Sequence, residues 1–169
     1  LQDLNATTVS FPDTACIHEL CAQQVARTPA AVALVCGEDR WTYREVNAKA
    51  DALAARLRTA GLRPGILVAV SLGRSLDLVT ALLGVLKAGG AYVLLDPRWS
   101  AEQLQSVLDH ARPLVAIVSS ETEQLLSRGE CQLLRIDDVS TNVVQRPTIA
   151  AASSDPAYVV YTPTPSGTP

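Results

Sequence analysis

The sequence predicts an α/β fold, a mostly parallel sheet with helices on both faces. Strand candidates such as Ile66 to Leu72, AYVLLD from Ala91 and LVAIVSS from Leu114 are continuous apolar runs, as expected of strands buried on both sides. Single amphipathic segments separate them, so helix and strand signals alternate along the chain. The length, 169 residues, suits one domain with a sizeable core.

The opening stretch LQDLNATTVSFPDTA, residues 1–15, lacks the cationic flank and apolar run of a signal peptide, and the first residue is Leu rather than Met. It reads as an interdomain linker in a chain cut from something longer. Ile17, Leu20, Cys21 and Val25 then share one face of a helix ending near Thr28-Pro29, and AVALVC is a strand. Gly37-Glu38-Asp39 turns into the short strand RWTY, which predicts a hairpin.

Thr42 and Glu45 form a T-x-x-E capping box for a helix that points Val46, Ala50, Leu53 and Leu57 inward and stops at Gly61. After the strand Ile66 to Leu72, Ser75 caps a helix with Asp77 in its first turn, where the dipole favours a carboxylate, and Gly89-Gly90 ends it. Ser100 and Gln103 fit a second capping box, and that helix continues through Leu104, Val107 and Leu108. Arg112-Pro113 leads into LVAIVSS, a short helix follows at Glu123 to Leu126, and Cys131 to Ile136 is a further strand. Residues 138–156 are polar or small without a period and read as a long surface loop before a last strand, Ala157 to Thr162.

Composition excludes several function classes. Charged residues make up 18% of the chain and the net charge is −3, so no basic face for nucleic acid is expected. The most membrane-like stretch, Leu76 to Leu95, is interrupted by Asp77, Lys87 and Gly89-Gly90, short of a clean span of about 20 apolar residues. Cysteines stand at 16, 21, 36 and 131 with no C-x-x-C pair, so they read as reduced core thiols of a cytoplasmic protein rather than zinc ligands or a disulfide framework.

No G-x-G-x-x-G follows a strand, so a nicotinamide or flavin site lacks its fingerprint. In parallel sheets ligands gather at the carboxyl ends of strands, which directs attention to the closing stretch AYVVYTPTPSGTP, Ala157 to Pro169. A strand that releases into glycine and hydroxyl residues can wrap a polyphosphate, because backbone N–H groups converge on the oxygens and Ser and Thr add donors. Thr162, Thr164, Ser166, Gly167 and Thr168 supply that chemistry in part. Pro163 and Pro165 oppose it, since proline has no N–H and a fixed φ, and the stretch has no lysine or arginine. On the residues alone, a phosphate cradle and a proline-stiffened turn both stand.

Other chemistry-bearing residues read as structural. Lys87 ends a helix, where a cation meets the dipole favourably, and Asp96 stabilises the turn at Pro97. Ser106, Asp109 and His110 make no triad, because adjacent helix positions point to different faces. His18 and His110 read as surface or capping residues. Asp137-Asp138 is a solvated acid pair at a strand end, and no metal site is expected.

Three segments in order carry a resemblance. HELCAQQVARTPAAVAL followed by WTYREVN resembles the opening of nonribosomal peptide synthetase adenylation domains, members of the adenylate-forming ligase superfamily. LKAGGAYVLLDPRWSAEQL looks like the next motif, L-K-A-G-x-A-Y-V-P-L-D-P, with Leu94 where the family prefers proline. AYVVYTPTPSGTP falls at the position of the phosphate loop Y-T-S-G-S-T-G-x-P-K-G, with Pro163, Thr164 and Pro165 in place of Ser, Gly and Ser.

The resemblance spans essentially the whole chain, so residues 16–169 read as the N-terminal part of an adenylation core, about its first third. It implies, for the intact family, ATP with magnesium as cofactors, aminoacyl-AMP formation with release of pyrophosphate, and transfer to a carrier-domain thiol, and these 169 residues alone are expected to bind neither cofactor. It also implies condensation and carrier domains as neighbours, and an amino-acid substrate if the domain is complete. In it Thr162, Thr164, Ser166, Gly167 and Thr168 form a degenerate ATP phosphate loop. The amino-acid pocket and the catalytic lysine of the family lie further along, so the 169 residues alone are expected to be inactive. The alternative is a non-catalytic remnant serving as a spacer or docking module in a megasynthase.

Overall fold

The computed structural model describes residues 7, 9–10, 12–126, 131–140 and 151–161. Helix α1 (Ile17–Arg27) opens the fold, the Glu19 carboxylate accepting the Cys16 N–H at 2.8 Å. Strands β1 (Val32–Cys36) and β2 (Asp39–Thr42) form the predicted antiparallel hairpin, a two-stranded sheet of its own.

Helix α2 (Tyr43–Thr59) starts at the Thr42 box, whose Oγ1 accepts the Glu45 N–H at 3.3 Å while the Glu45 carboxylate accepts the Thr42 N–H at 2.7 Å. It ends where Gly61 takes φ 99°, a conformation that favours glycine, so that the Leu62 N–H returns to the Leu57 carbonyl at 3.0 Å.

Strand β3 (Leu67–Ser71), helix α3 (Leu76–Lys87), β4 (Ala91–Leu94), α4 (Ala101–Ala111), β5 (Val115–Val118), α5 (Glu123–Leu126), β6 (Gln132–Arg135) and β7 (Tyr158–Val159) follow. The Ser75 cap and the Ser100–Gln103 box form as expected. The five later strands make one sheet in the order β6-β5-β3-β4-β7, every pair parallel.

Strand order explains why helices cover both faces. The chain moves from β3 to β4 through α3, then reverses across β3 to β5 through α4. Right-handed crossovers in opposite directions must lie on opposite faces. Alternate strand residues therefore enter two cores. Val68, Val70, Val115 and Ile117 pack with Leu53, Leu57, Ala81 and Val85 of α2 and α3, whereas Ala69, Val93, Ala116 and Val118 pack with Leu104, Val107 and Leu108 of α4.

Lys87 is structural, as its position predicts, but through a particular bond set. Its Nζ donates to Asn47 Oδ1 at 2.6 Å and Asp51 Oδ1 at 2.5 Å, tying the end of α3 to the middle of α2. Gly84 on α3 permits the two helices to close, since a Cβ there would stand 2.8 Å from Leu53 Cδ2 and 3.1 Å from Leu53 Cβ.

Several expectations change. Helix α1 buries no residue, and Ile17 and Leu20 of its apolar face are 57% and 39% exposed. An amphipathic pattern marks a face without supplying the surface that covers it. The cysteines are free, but none is a core thiol: Cys36 is exposed and the other three are half-buried. Within the described residues the last strand is Tyr158–Val159, shorter than predicted, and a single turn of 3-10 helix occupies Ile136–Asp138. Among the described residues no helix is long and apolar enough to cross a membrane.

Candidate functional site

Because the five strands are parallel, their carboxyl ends share one edge, where Ser71, Leu94, Val118, Arg135 and Val159 release the chain. Thr162, Thr164, Ser166, Gly167 and Thr168 follow β7 in sequence and lie outside the described residues. The structure does place what precedes them: Tyr158 and Val159 stand beside Tyr92 and Val93 of β4 in parallel register, and Tyr161 packs against the α4-side core.

The crevice between β3 and β5 is where connections depart to opposite faces, the usual ligand position in such sheets. Here it is closed. Thr122 Oγ1 donates to the Ser71 carbonyl at 2.5 Å and accepts the Ser119 N–H at 3.0 Å. Ser71 Oγ is buried without a hydrogen-bond partner among the described residues. On the β4–β7 side of the same edge, the hydroxyl-rich stretch follows β7 in sequence.

On that side, Asp96 receives the Arg98 N–H at 2.9 Å and the Arg98 Nη2 at 2.6 Å. These bonds, with the added charge of Arg74, hold its carboxyl at about 2 against an ordinary 3.8. A depressed carboxylate contributes stability that is fully present above pH ~4 and lost as pH falls through about 2. A carbon-detected NMR titration of Asp96 tests this: the midpoint stands near 2 in the native protein and moves toward 3.8 in Arg98→Gln. A native midpoint at the ordinary value refutes the turn geometry.

Both residues of the acid pair are exposed, as expected, and the Asp137 carboxylate and the Asp138 backbone also make bonds. Asp137 Oδ2 accepts the Ser120 N–H at 2.9 Å, and the Asp138 carbonyl accepts Arg56 Nη1 at 2.8 Å. Among the described residues no group of three or more His, Cys, Asp or Glu is placed to hold a metal ion. Ser106 and Asp109 form no site with His110, whose Nδ1 instead lies 2.6 Å from the Tyr161 hydroxyl. No sequence spacing signals that pair, because its members are brought together by packing. His18 lines a recess of about 120 Å³ with Cys16, Leu86, Gly90 and Asp155, and burial pushes its imidazole below the ordinary value.

A family model described as "AMP-binding enzyme" matches residues 21–169. Malpinin synthetase of Mortierella alpina is 36% identical over 173 residues, an alignment that covers all of this chain and 2% of the synthetase. Tyrocidine synthase 3 of Brevibacillus parabrevis is 37% identical over 180 residues, again covering all of this chain and 3% of the synthase. The chain thus spans a small fraction of the relatives it matches.

The AMPPNP-bound form of the nonribosomal peptide synthetase FmoA3 superposes with a TM-score of 0.87 at 31% identity, covering 95% of this chain and 18% of that one. The N-terminal subdomain of Klebsiella oxytoca NpsA, in complex with 3-hydroxybenzoyl-AMSN, superposes with a TM-score of 0.78 at 26% identity, covering 90% and 39%. The parallel sheet with its two helical layers is the fold of an N-terminal adenylation subdomain, and the chain belongs to the AMP-binding enzyme family.

Proposed function

We propose that the chain is the N-terminal segment of an amino-acid adenylating unit in a nonribosomal peptide synthetase, and that the residues after Tyr161 grip the triphosphate of ATP. The carrying observation is β7 beside β4 in the parallel sheet, its carboxyl end at the shared edge, with the hydroxyl-rich stretch next in sequence. Thr162, Thr164, Ser166 and Thr168 offer hydroxyl donors and Gly167 a backbone N–H with no Cβ beside it, a donor set that suits phosphate oxygens but brings no cation. Magnesium suits such a site, since it is commonly held through substrate phosphates and few protein carboxylates.

In this reading residues 1–15 link to a preceding domain, and condensation and carrier domains are the partners. ATP supplies the adenylyl group to an amino-acid carboxylate, with pyrophosphate leaving, and the product loads a carrier thiol. In this reading the 169 residues alone are expected to perform no amino-acid-dependent ATP–pyrophosphate exchange, because the family's amino-acid pocket and catalytic lysine lie further along.

Pro163 and Pro165 favour a second reading, a degenerate remnant acting as a spacer. Restoring Pro163→Ser, Thr164→Gly and Pro165→Ser in the protein at its full natural length separates the two. Calorimetry is expected to give an ATP dissociation constant within about threefold of the native loop's if that loop already works. A gain of about tenfold or more, near 1.4 kcal/mol, supports the remnant.

A further inference from the structure

Strand β7 contributes two ladder pairs, Tyr92 with Tyr158 and Val93 with Val159, so side chains decide how the chain leaves the sheet beyond them. On one face Tyr158 stacks on Tyr92, centroids 5.8 Å apart and planes at 21°. On the other, Val159 and Tyr161 pack against the core beneath α4. There the Tyr161 hydroxyl meets His110 Nδ1 at 2.6 Å, with the rings edge to face at 88° and centroids 5.7 Å apart. The partners are 51 positions apart in sequence.

We infer that His110 is a positioning residue: by holding the Tyr161 hydroxyl it sets the direction in which the chain leaves β7 for the nucleotide. The inference rests on the adenylation reading. Tyr161 Cα is the point from which the next residue of the chain must follow, since consecutive Cα atoms are about 3.8 Å apart. The bond is compatible with either imidazole form, because Nδ1 accepts from the phenol O–H when bare and donates to its oxygen when protonated. Tyr161 is the last residue before the hydroxyl-rich stretch, and among the described residues this bond adds to the packing that holds its ring.

The test uses the protein at its full natural length with His110→Leu, His110→Gln, Tyr161→Phe and the His110→Leu/Tyr161→Phe double variant. Amide hydrogen exchange at Tyr158 to Tyr161 and the ATP dissociation constant are read for each. His110→Leu and Tyr161→Phe are each expected to speed exchange and weaken ATP binding about fivefold, the worth of one ordinary hydrogen bond. The double variant is expected to be no worse than either, and His110→Gln to recover most of the loss.

Tyr161→Phe removes one oxygen and keeps the ring, so the result does not depend on whether His110→Leu folds. Unchanged exchange in that variant, or effects that multiply in the double variant, overturns the inference. Faster exchange with unchanged ATP affinity overturns the positioning role and leaves the adenylation reading standing. A wild-type protein that binds no ATP overturns that reading and takes this role with it.

Discussion

Replacing Leu53 with Ala is expected to lower the unfolding free energy by about 2–5 kcal/mol, the range for removing a fully buried leucine from a packed core. Leu53 is 0% exposed and sits at the α2–α3 contact, where its side chain fills the space that Gly84 leaves open. The same geometry makes Gly84→Ala unfavourable despite the gain in helix propensity of about 1 kcal/mol. The new methyl meets Leu53 Cγ at 3.0 Å and Cβ at 3.1 Å as well as the mobile tip, so it is not accommodated by a tip rotation. Overpacking of this kind costs about 1–3 kcal/mol.

The two substitutions are expected to compensate, because in the double variant the methyl added by Gly84→Ala enters space that the Leu53 side chain vacates. Urea unfolding of the single and double variants checks this: the double should be less destabilised than the sum of the singles, by about 0.5–3 kcal/mol. Strict additivity shows that the helices are not in contact through this pair.

Lys87→Met is expected to destabilise by about 3 kcal/mol, the low end for breaking a buried ion pair by removing one partner. The side chains of Lys87 and Asp51 are 10% and 20% exposed, and the ammonium is shared with Asn47. Removing it leaves the Asp51 carboxylate against a helix interface with, among the described residues, the Asn47 amide at 2.8 Å to satisfy it. Lys87→Met with Asp51→Leu should restore much of the loss, because two apolar groups of suitable size need no partner. Equal stability of Lys87→Met and wild type in chemical denaturation contradicts a structural role for the pair.

Local signals account for much of the fold. The boxes at Thr42–Glu45 and Ser100–Gln103 and the cap at Ser75 lie within one helical turn, so residue spacing alone specifies their hydrogen bonds. Continuous apolar runs at β3 and β5 announce strands covered on both faces, and the structure buries them on both. The hairpin was equally legible in its turn residues.

Long-range contacts were not legible. Nothing in the spacing of Lys87 and Asp51, 36 residues apart, or of Thr122 and Ser71, 51 apart, says that they meet. The exposure of Ile17 and Leu20 was hidden for the same reason, since periodicity shows which side of a helix is apolar but not what lies against it. The candidate nucleotide site divides along the same line. Its hydroxyls and glycine are a linear string beginning at Thr162. The support beneath it, Tyr92 against Tyr158 and His110 against Tyr161, exists after the sheet has formed.

By itself the sequence determined where helices begin and end, which segments are strands, the α/β class and the family, because each depends on residues within a turn or on an ordered series of motifs. The tertiary structure alone decided the strand order, the bond from Thr122 to Ser71 across the ends of β5 and β3, the bridge from Lys87 to α2 and the contact of Tyr161 with His110. Those are contacts between residues far apart in sequence, fixed by crossover handedness and by the packing of two cores on opposite faces of one sheet.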